Sequence, residues 1–221
     1  MTHVKRFEHN AKGRDFVIGD IHGCFSKVRA KLSAIGFNPD ADRLFSVGDL
    51  VDRGPENESV LDWLEFDWFH AVAGNHDDMA VRWPYGNMDS GNYLQNGGGW
   101  NMANPHDLQV EISEALKVLP LGIEVATPHG LVGIVHAECP FNDWDKFRAA
   151  TVDKKLAAHA QWARARIYDE DQSIVEGVHA VFVGHTPVMA PAKFGNVHYI
   201  DTAGWAGGYS SVFNLTDLEF V

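Results

Sequence analysis

Three short apolar runs in the first third of the chain each stop on glycine followed by a carboxylate or carboxamide residue, and the stops are nearly evenly spaced. Asp15-Phe16-Val17-Ile18 ends at Gly19-Asp20, Arg43 to Val47 at Gly48-Asp49, and Phe69 to Ala73 at Gly74-Asn75. From Asp20 to Asp49 is 29 residues and from Asp49 to Asn75 is 26, each close to the ~30 residues of a strand, a crossover helix and a second, parallel strand. Between the stops, Phe25 to Ile35 and Asn57 to Phe66 carry apolar residues at helical spacing. A βαβαβ unit of this kind puts all three strand ends on one edge of a sheet, where open α/β folds bind ligands. The spacing predicts an α/β protein with chemistry at that edge.

The rest of the chain extends the pattern. Trp83 to Pro105, rich in Gly and Asn, reads as a long surface loop. Asp107 to Leu119 reads as an amphipathic helix stopped by Pro120, and Ile123 to Ala126 and Leu131 to Val135 as a strand pair ending at His136. Residues 141 to 176 contain neither Gly nor Pro, and Lys154 to Ile167 favours helix. Ala180 to Val183 is a strand ending at Gly184-His185, with His198 to Asp201 and Ser211 to Leu215 as further strands. No repeat, low-complexity tract or linker divides the 221 residues, so a single domain over 1–221 is expected.

Composition narrows the functional classes. Lys and Arg total 18 against 30 Asp and Glu, a formal charge of −12, which argues against a broad surface for nucleic acid or anionic membrane. Met1 to Asp15 has basic residues but no apolar core segment, so it does not read as a secretory signal. The two cysteines, Cys24 and Cys139, suit a reducing compartment and read as packing residues. A soluble cytoplasmic protein is expected.

Asp20 and His22 are two apart, so in extended backbone their side chains project to one side and can share an ion. Asp49, Asn75, His136 and His185 also follow apolar runs. Together the six form a cysteine-free N/O donor set suited to Mn²⁺, Fe or Zn²⁺. Six ligands exceed one open catalytic ion, and the economical solution is two ions sharing a carboxylate. Two divalent ions supply about +4 against about −2 from the two ligating carboxylates, leaving a positive site for an anionic substrate and for hydroxide formed from bridging water. Arg53 can pair with phosphate. His76, facing away from Asn75 in extended chain, can protonate a leaving oxygen, with Asp52 holding its imidazole. Taken singly, each of these residues is equally a turn or cap residue, and the joint order and spacing decide for a site. His3, His9, His70, His106, His129, His159, His179 and His198 lack such a setting and read as surface or core residues.

Gly19-Asp20-Ile21-His22-Gly23, Gly48-Asp49-Leu50-Val51-Asp52-Arg53-Gly54, Gly74-Asn75-His76-Asp77, His136-Ala137-Glu138 and Gly184-His185-Thr186 resemble the metallophosphoesterase signature. More narrowly they resemble the phage and bacterial branch of the phosphoprotein phosphatase family. Asn96-Gly97-Gly98-Gly99-Trp100 and Tyr199-Ile200-Asp201-Thr202 extend the resemblance over nearly the whole chain. It implies a metallophosphoesterase-type β-sandwich flanked by helices around the βαβαβ core. It implies Asp20, His22 and Asp49 on one ion, and Asp49, Asn75, His136 and His185 on the other. His76 would be the general acid paired with Asp52, and Arg53 and Arg164 would hold substrate phosphate, with Arg166 an alternative on the same helix. Two divalent ions are implied, manganese first, then iron or zinc. The implied reaction is hydrolysis of phosphoserine and phosphothreonine in a phosphoprotein or phosphopeptide by direct attack of a metal-bridging hydroxide, with no regulatory subunit.

Two departures stand out. Asp77 replaces the usual Glu, and Ala203-Gly204-Trp205 replaces Gly-Ala, which alters the pocket wall. Two other functions compete. A symmetrical dinucleoside tetraphosphatase tends to have Ala at the position of Asp52, and a catalytically silent binding module would lack a ligand or the acid.

Overall fold

The chain is described from residue 3 to residue 221 in a computed structural model. Its first half runs β1 (Val4–Phe7), β2 (Asp15–Ile18), α1 (Phe25–Ala34), β3 (Arg43–Ser46), α2 (Val60–Leu64), β4 (Phe69–Ala71), α3 (Asn75–Arg82), α4 (Ser90–Gln95), α5 (Gly99–Met102) and α6 (His106–Leu116). The second half runs β5 (Gly122–Thr127), β6 (Gly130–Val135), α7 (Trp144–Ala149), α8 (Lys154–Trp162), α9 (Ala165–Tyr168), β7 (Ala180–Val183), β8 (Ala192–Phe194), β9 (Val197–Tyr199), β10 (Val212–Asn214) and β11 (Glu219–Phe220).

Two sheets form, ordered β1-β5-β6-β7-β9-β8 and β11-β10-β2-β3-β4. The β2, β3 and β4 strands pair in parallel, as the spacing predicts, and so do β6, β7 and β9 in the other sheet. Strand alternation explains the layering. Val17 and Phe45 pack with Ile123, Val125, Val132, Ile134, Ala180 and Phe182 between the sheets. Their neighbours Phe16, Ile18 and Leu44 face the other way, onto α1 to α6 through Trp63, Met79 and Ile112. On the far side Val181 and Val183 meet Trp144 and Phe147 of α7. Each such buried side chain contributes about 1.5–3 kcal/mol, and the result is a helix-flanked β-sandwich.

Close approach of the sheets at one rim is possible because glycine stands there. A Cβ on Gly184 would lie 1.9 Å from Asp20 Oδ1 across the two sheets, and within the rim of one sheet a Cβ on Gly74 would lie 2.2 Å from Asp49 Oδ1. Bonds across the rim join the sheets: His136 Nδ1 donates to Val47 O at 2.7 Å, and His185 N donates to the Asp20 carboxylate at 3.2 Å.

Two segments differ from the sequence expectation. Trp83 to Pro105 is not an unstructured loop. It holds a 3-10 turn at Trp83–Tyr85 and the helices α4 and α5, because Tyr93 is fully buried, packs 5.4 Å from Trp83 and sits on a helix capped by Asp89 accepting from Asn92 N at 2.8 Å. Lys154 to Ile167 is not one helix. Extended Ala163 (φ −66°, ψ 146°) ends α8, freeing the Trp162 carbonyl to accept from His185 Nε2 at 3.3 Å, while Glu138 draws in Arg166 N at 2.7 Å. Tertiary bonds override local propensity there. Among the described residues no helix is long and apolar enough to cross a membrane.

His198 gives the fold a pH dependence. Its ring stacks on Phe182 at 4.7 Å and its Nε2 is buried without a partner among the described residues. Burial first, then Lys193 and His179, lowers its pKa from 6.5 to about 4. Between pH 6.5 and about 4 the unfolded chain binds a proton that the folded chain refuses, so stability falls as pH is lowered through that window and loses nothing further to His198 below it. Urea unfolding at several pH values is expected to show a shallower fall in His198→Phe than in the native chain, and identical slopes would contradict this.

Candidate active site

The rim collects every residue that the strand-end pattern selects. Asp20 and His22 follow β2, Asp49 to Arg53 follow β3, Asn75 and His76 open α3 after β4, His136 follows β6 and His185 follows β7. The backbone is not extended at these points. His22 (φ 46°), Asp49 (φ 51°), Asp52 (φ 71°), Arg53 (φ 66°) and His185 (φ 66°) are all left-handed, a conformation costing non-glycine residues on the order of 1–3 kcal/mol each and typical of functional sites. Asn75 and His76 lie on the first turn of a helix, so helical rotation and not strand alternation separates their side chains.

Each imidazole has its tautomer set by the main chain. Nδ1–H of His22 donates to Val51 O at 2.9 Å, Nδ1–H of His136 to Val47 O at 2.7 Å, and Nε2–H of His185 to Trp162 O at 3.3 Å. The remaining ring nitrogens carry lone pairs facing oxygen, and that of His22 also meets Arg53 Nη1 at 3.2 Å. His22 Nε2 is 3.5 Å from Asp49 Oδ2 and 4.0 Å from Asp20 Oδ2. His136 Nε2 is 3.3 Å from Asp49 Oδ1 and 2.9 Å from Asn75 Oδ1, and His185 Nδ1 is 2.8 Å from Asn75 Oδ1. Acceptors set against acceptors in a buried site are stabilised by cations.

The electrostatics agree except at His136, where burial lowers the pKa but the Asp49 carboxylate outweighs it and raises it. Burial, then Asp201 and Asp49, pushes the Asp20 carboxyl well up. Burial works to raise Asp49 also, but His136, His76 and His22 hold it well below the usual range. Burial lowers His22 and His185 to about 3, keeping them neutral as metal ligation requires. The donors cluster as Asp49 with His136 and His185, and as His22 with Asp49 and His76. This set fits divalent metal, and Asp49 is common to both clusters.

Beside it, His76 Nδ1 is 2.8 Å from Asp52 Oδ2, and the other Asp52 oxygen accepts from Trp100 Nε1 at 2.8 Å. Arg53 donates from Nη1 to His22 Nε2 at 3.2 Å and from Nη2 to His76 Nε2 at 2.9 Å. Asp77, one methylene shorter than the usual Glu, still caps α3 by accepting from Gly74 N at 2.8 Å and holds Leu50 N at 2.9 Å. Arg166 is committed elsewhere, to Asn142 and to the carbonyls of Ser173 at 2.7 Å and Asp171 at 3.2 Å. The Arg164 side chain has no hydrogen bond or ion pair among the described residues, and its charge acts on His185. Trp100, Asp201 and Trp205 stand in motifs recognised in the sequence but receive no role there. Asp201 is buried with Oδ2 unpartnered among the described residues, and only its place at the end of a strand, in Tyr199-Ile200-Asp201, was a signal.

A two-sheet sandwich presenting buried imidazole and carboxylate donors at its strand ends, with arginines alongside, defines the metal-dependent phosphoester hydrolases. Residues 16–189 match the calcineurin-like phosphoesterase family, and the chain belongs to that family. It is 38% identical over 197 residues, 87% of this chain and 88% of the relative, to serine/threonine-protein phosphatase 1 of Salmonella typhimurium. A symmetrical bis(5'-nucleosyl)-tetraphosphatase of Chromobacterium violaceum is 47% identical over 64 residues only, 28% of this chain and 23% of that one. A Saccharomyces cerevisiae protein serine/threonine phosphatase shares the fold at a TM-score of 0.69 and 17% identity, over 97% of this chain and 77% of its own.

Proposed function

We propose that this chain is a cytoplasmic serine/threonine protein phosphatase, its single domain spanning residues 1–221, acting on phosphoproteins or phosphopeptides. It would work with two divalent cations, manganese first and iron or zinc as alternatives, and without nucleic acid, membrane or regulatory subunit. Asp20, His22 and Asp49 would hold one ion, and Asp49, Asn75, His136 and His185 would hold the other. Two such ions supply Lewis acidity toward phosphoryl oxygens and lower the pKa of water enough to give a nucleophile near neutral pH.

The protein's own groups do the rest. Arg53 and Arg164 bind the phosphate oxygens and set the ester in line. With the Arg53 donors on substrate phosphate instead of on His76 Nε2, protonated His76 gives the proton on Nε2 to the leaving seryl or threonyl oxygen, while Asp52, fixed by Trp100, holds Nδ1–H and stabilises the imidazolium. The 2.8 Å Asp52–His76 bond beside Arg53 carries the reading, since a departing alkoxide needs a proton donor. The same pair disfavours the tetraphosphatase reading, with its tendency to Ala at the position of Asp52. Manganese-loaded protein given a phosphothreonine peptide and diadenosine tetraphosphate in competition is expected to consume the peptide, and preferential turnover of the dinucleotide would overturn the assignment.

The two arginines separate by experiment. Arg164→Ala is expected to raise KM for phosphopeptide about 10–100-fold, the value of one or two charge-assisted hydrogen bonds, with stability unchanged. Arg166→Ala is expected to lower unfolding free energy by ~1.5–3 kcal/mol by removing the charge-assisted bonds of its buried guanidinium to Asn142, Asp171 and Ser173. Paired kinetics and urea melts check both.

A further inference from the structure

The pocket wall that departs from the family pattern carries an aromatic ring against the phosphate-binding arginine. Trp205 lies on a 3-10 turn, Gly204–Ala206, entered through left-handed Ala203 (φ 52°). That turn is tied down from both sides. Lys27 Nζ of α1 donates to Gly204 O at 2.6 Å, Ala203 N donates to Asp201 Oδ1 at 2.9 Å, and the Thr202 hydroxyl donates to Tyr209 O at 2.5 Å. The Arg53 Cζ is 4.3 Å from the Trp205 ring centroid, the shortest cation–ring distance among the described residues, and the His22 ring meets the indole edge-on at 5.4 Å.

Arg53 has a flexible stem, and a bidentate grip on phosphate requires its donor fork to be fixed in one plane. An indole over the guanidinium occupies its face and leaves its N–H edges to make hydrogen bonds, as those to His22 and His76 show. Nothing else named here lies against that face. We propose that Trp205 is a positioning residue that holds Arg53 ready for the substrate phosphate, acting through the π face of its ring. This rests on the reading above that Arg53 binds phosphate.

The test measures inorganic phosphate binding by calorimetry, and KM and kcat for a phosphopeptide, on the manganese-loaded full chain. Trp205→Leu is expected to weaken phosphate binding and raise KM about tenfold while kcat changes less than about threefold. Trp205→Phe, which keeps an aromatic face, is expected to recover to within about threefold. In an Arg53→Ala background, Trp205→Leu is expected to add no further loss. Native-like phosphate binding by Trp205→Leu, an equal loss in Trp205→Phe, or an undiminished loss without Arg53 would each overturn the proposal. Should Trp205→Leu fail to fold, Trp205→Gln replaces it with the same expectations. Phosphate binding is read without turnover, so a chain that hydrolyses no phosphopeptide would count against the protein phosphatase reading and leave this comparison intact.

Discussion

Asp49→Asn is expected to abolish turnover and to leave the protein unable to hold two manganese ions. Asp49 is the carboxylate common to both donor clusters. Its Oδ1 lies 3.3 Å from His136 Nε2 and accepts from His76 N at 2.9 Å, and its Oδ2 lies 3.5 Å from His22 Nε2. An amide there removes a negative charge and turns one oxygen into a hydrogen-bond donor aimed at a lone pair. Several kcal/mol of charge stabilisation lost with the metal corresponds to a fall in kcat/KM on the order of 10⁴-fold. Metal analysis after dialysis, alongside steady-state kinetics, checks both halves of the expectation. Retention of two ions at near-native rate would show that the cations, if they matter, sit elsewhere.

His76→Asn is expected to cost about 10²–10⁴-fold in kcat while metal content stays native. The imidazole lies 3.9 Å from Asp49 Oδ2, near enough to serve as a ligand in its own right, so this variant separates two roles. As a proton donor, His76 matters in proportion to the basicity of the leaving oxygen. The loss is therefore expected to be large for phosphothreonine and small for a nitrophenyl ester, whose leaving group departs without help. Equal losses on both substrates, together with a missing ion, would assign His76 to the metal instead.

The strand framework was legible because glycine and a polar residue punctuate each strand end at crossover spacing, and the six donors stand where those strands stop. The detail of the rim was not legible. Sequence reading assumed extended backbone at His22 and at Asn75-His76, yet the first is left-handed and the second pair is helical. Aspartate and histidine adopt αL more readily than most residues, and at His22 the contacts that fix it come from the loop after β3, where Asp49 O accepts from its backbone N–H at 2.8 Å and Val51 O from its ring at 2.9 Å. The Gly- and Asn-rich stretch 83–105 hid two helices because their signal was a single cap, Asp89, followed by one buried ring, Tyr93. Helix α8 stops before Arg164 for a reason outside the helix, the need of His185 for the Trp162 carbonyl. Trp100 likewise carried no role in its motif, because its bond to Asp52 spans 48 residues of sequence.

Crystals grown with manganese and measured at its absorption edge test the central claim most directly. Two anomalous peaks are expected at the rim, one contacting Asp20, His22 and Asp49, the other contacting Asp49, Asn75, His136 and His185. A single peak, or manganese bound away from the strand ends, would contradict the account.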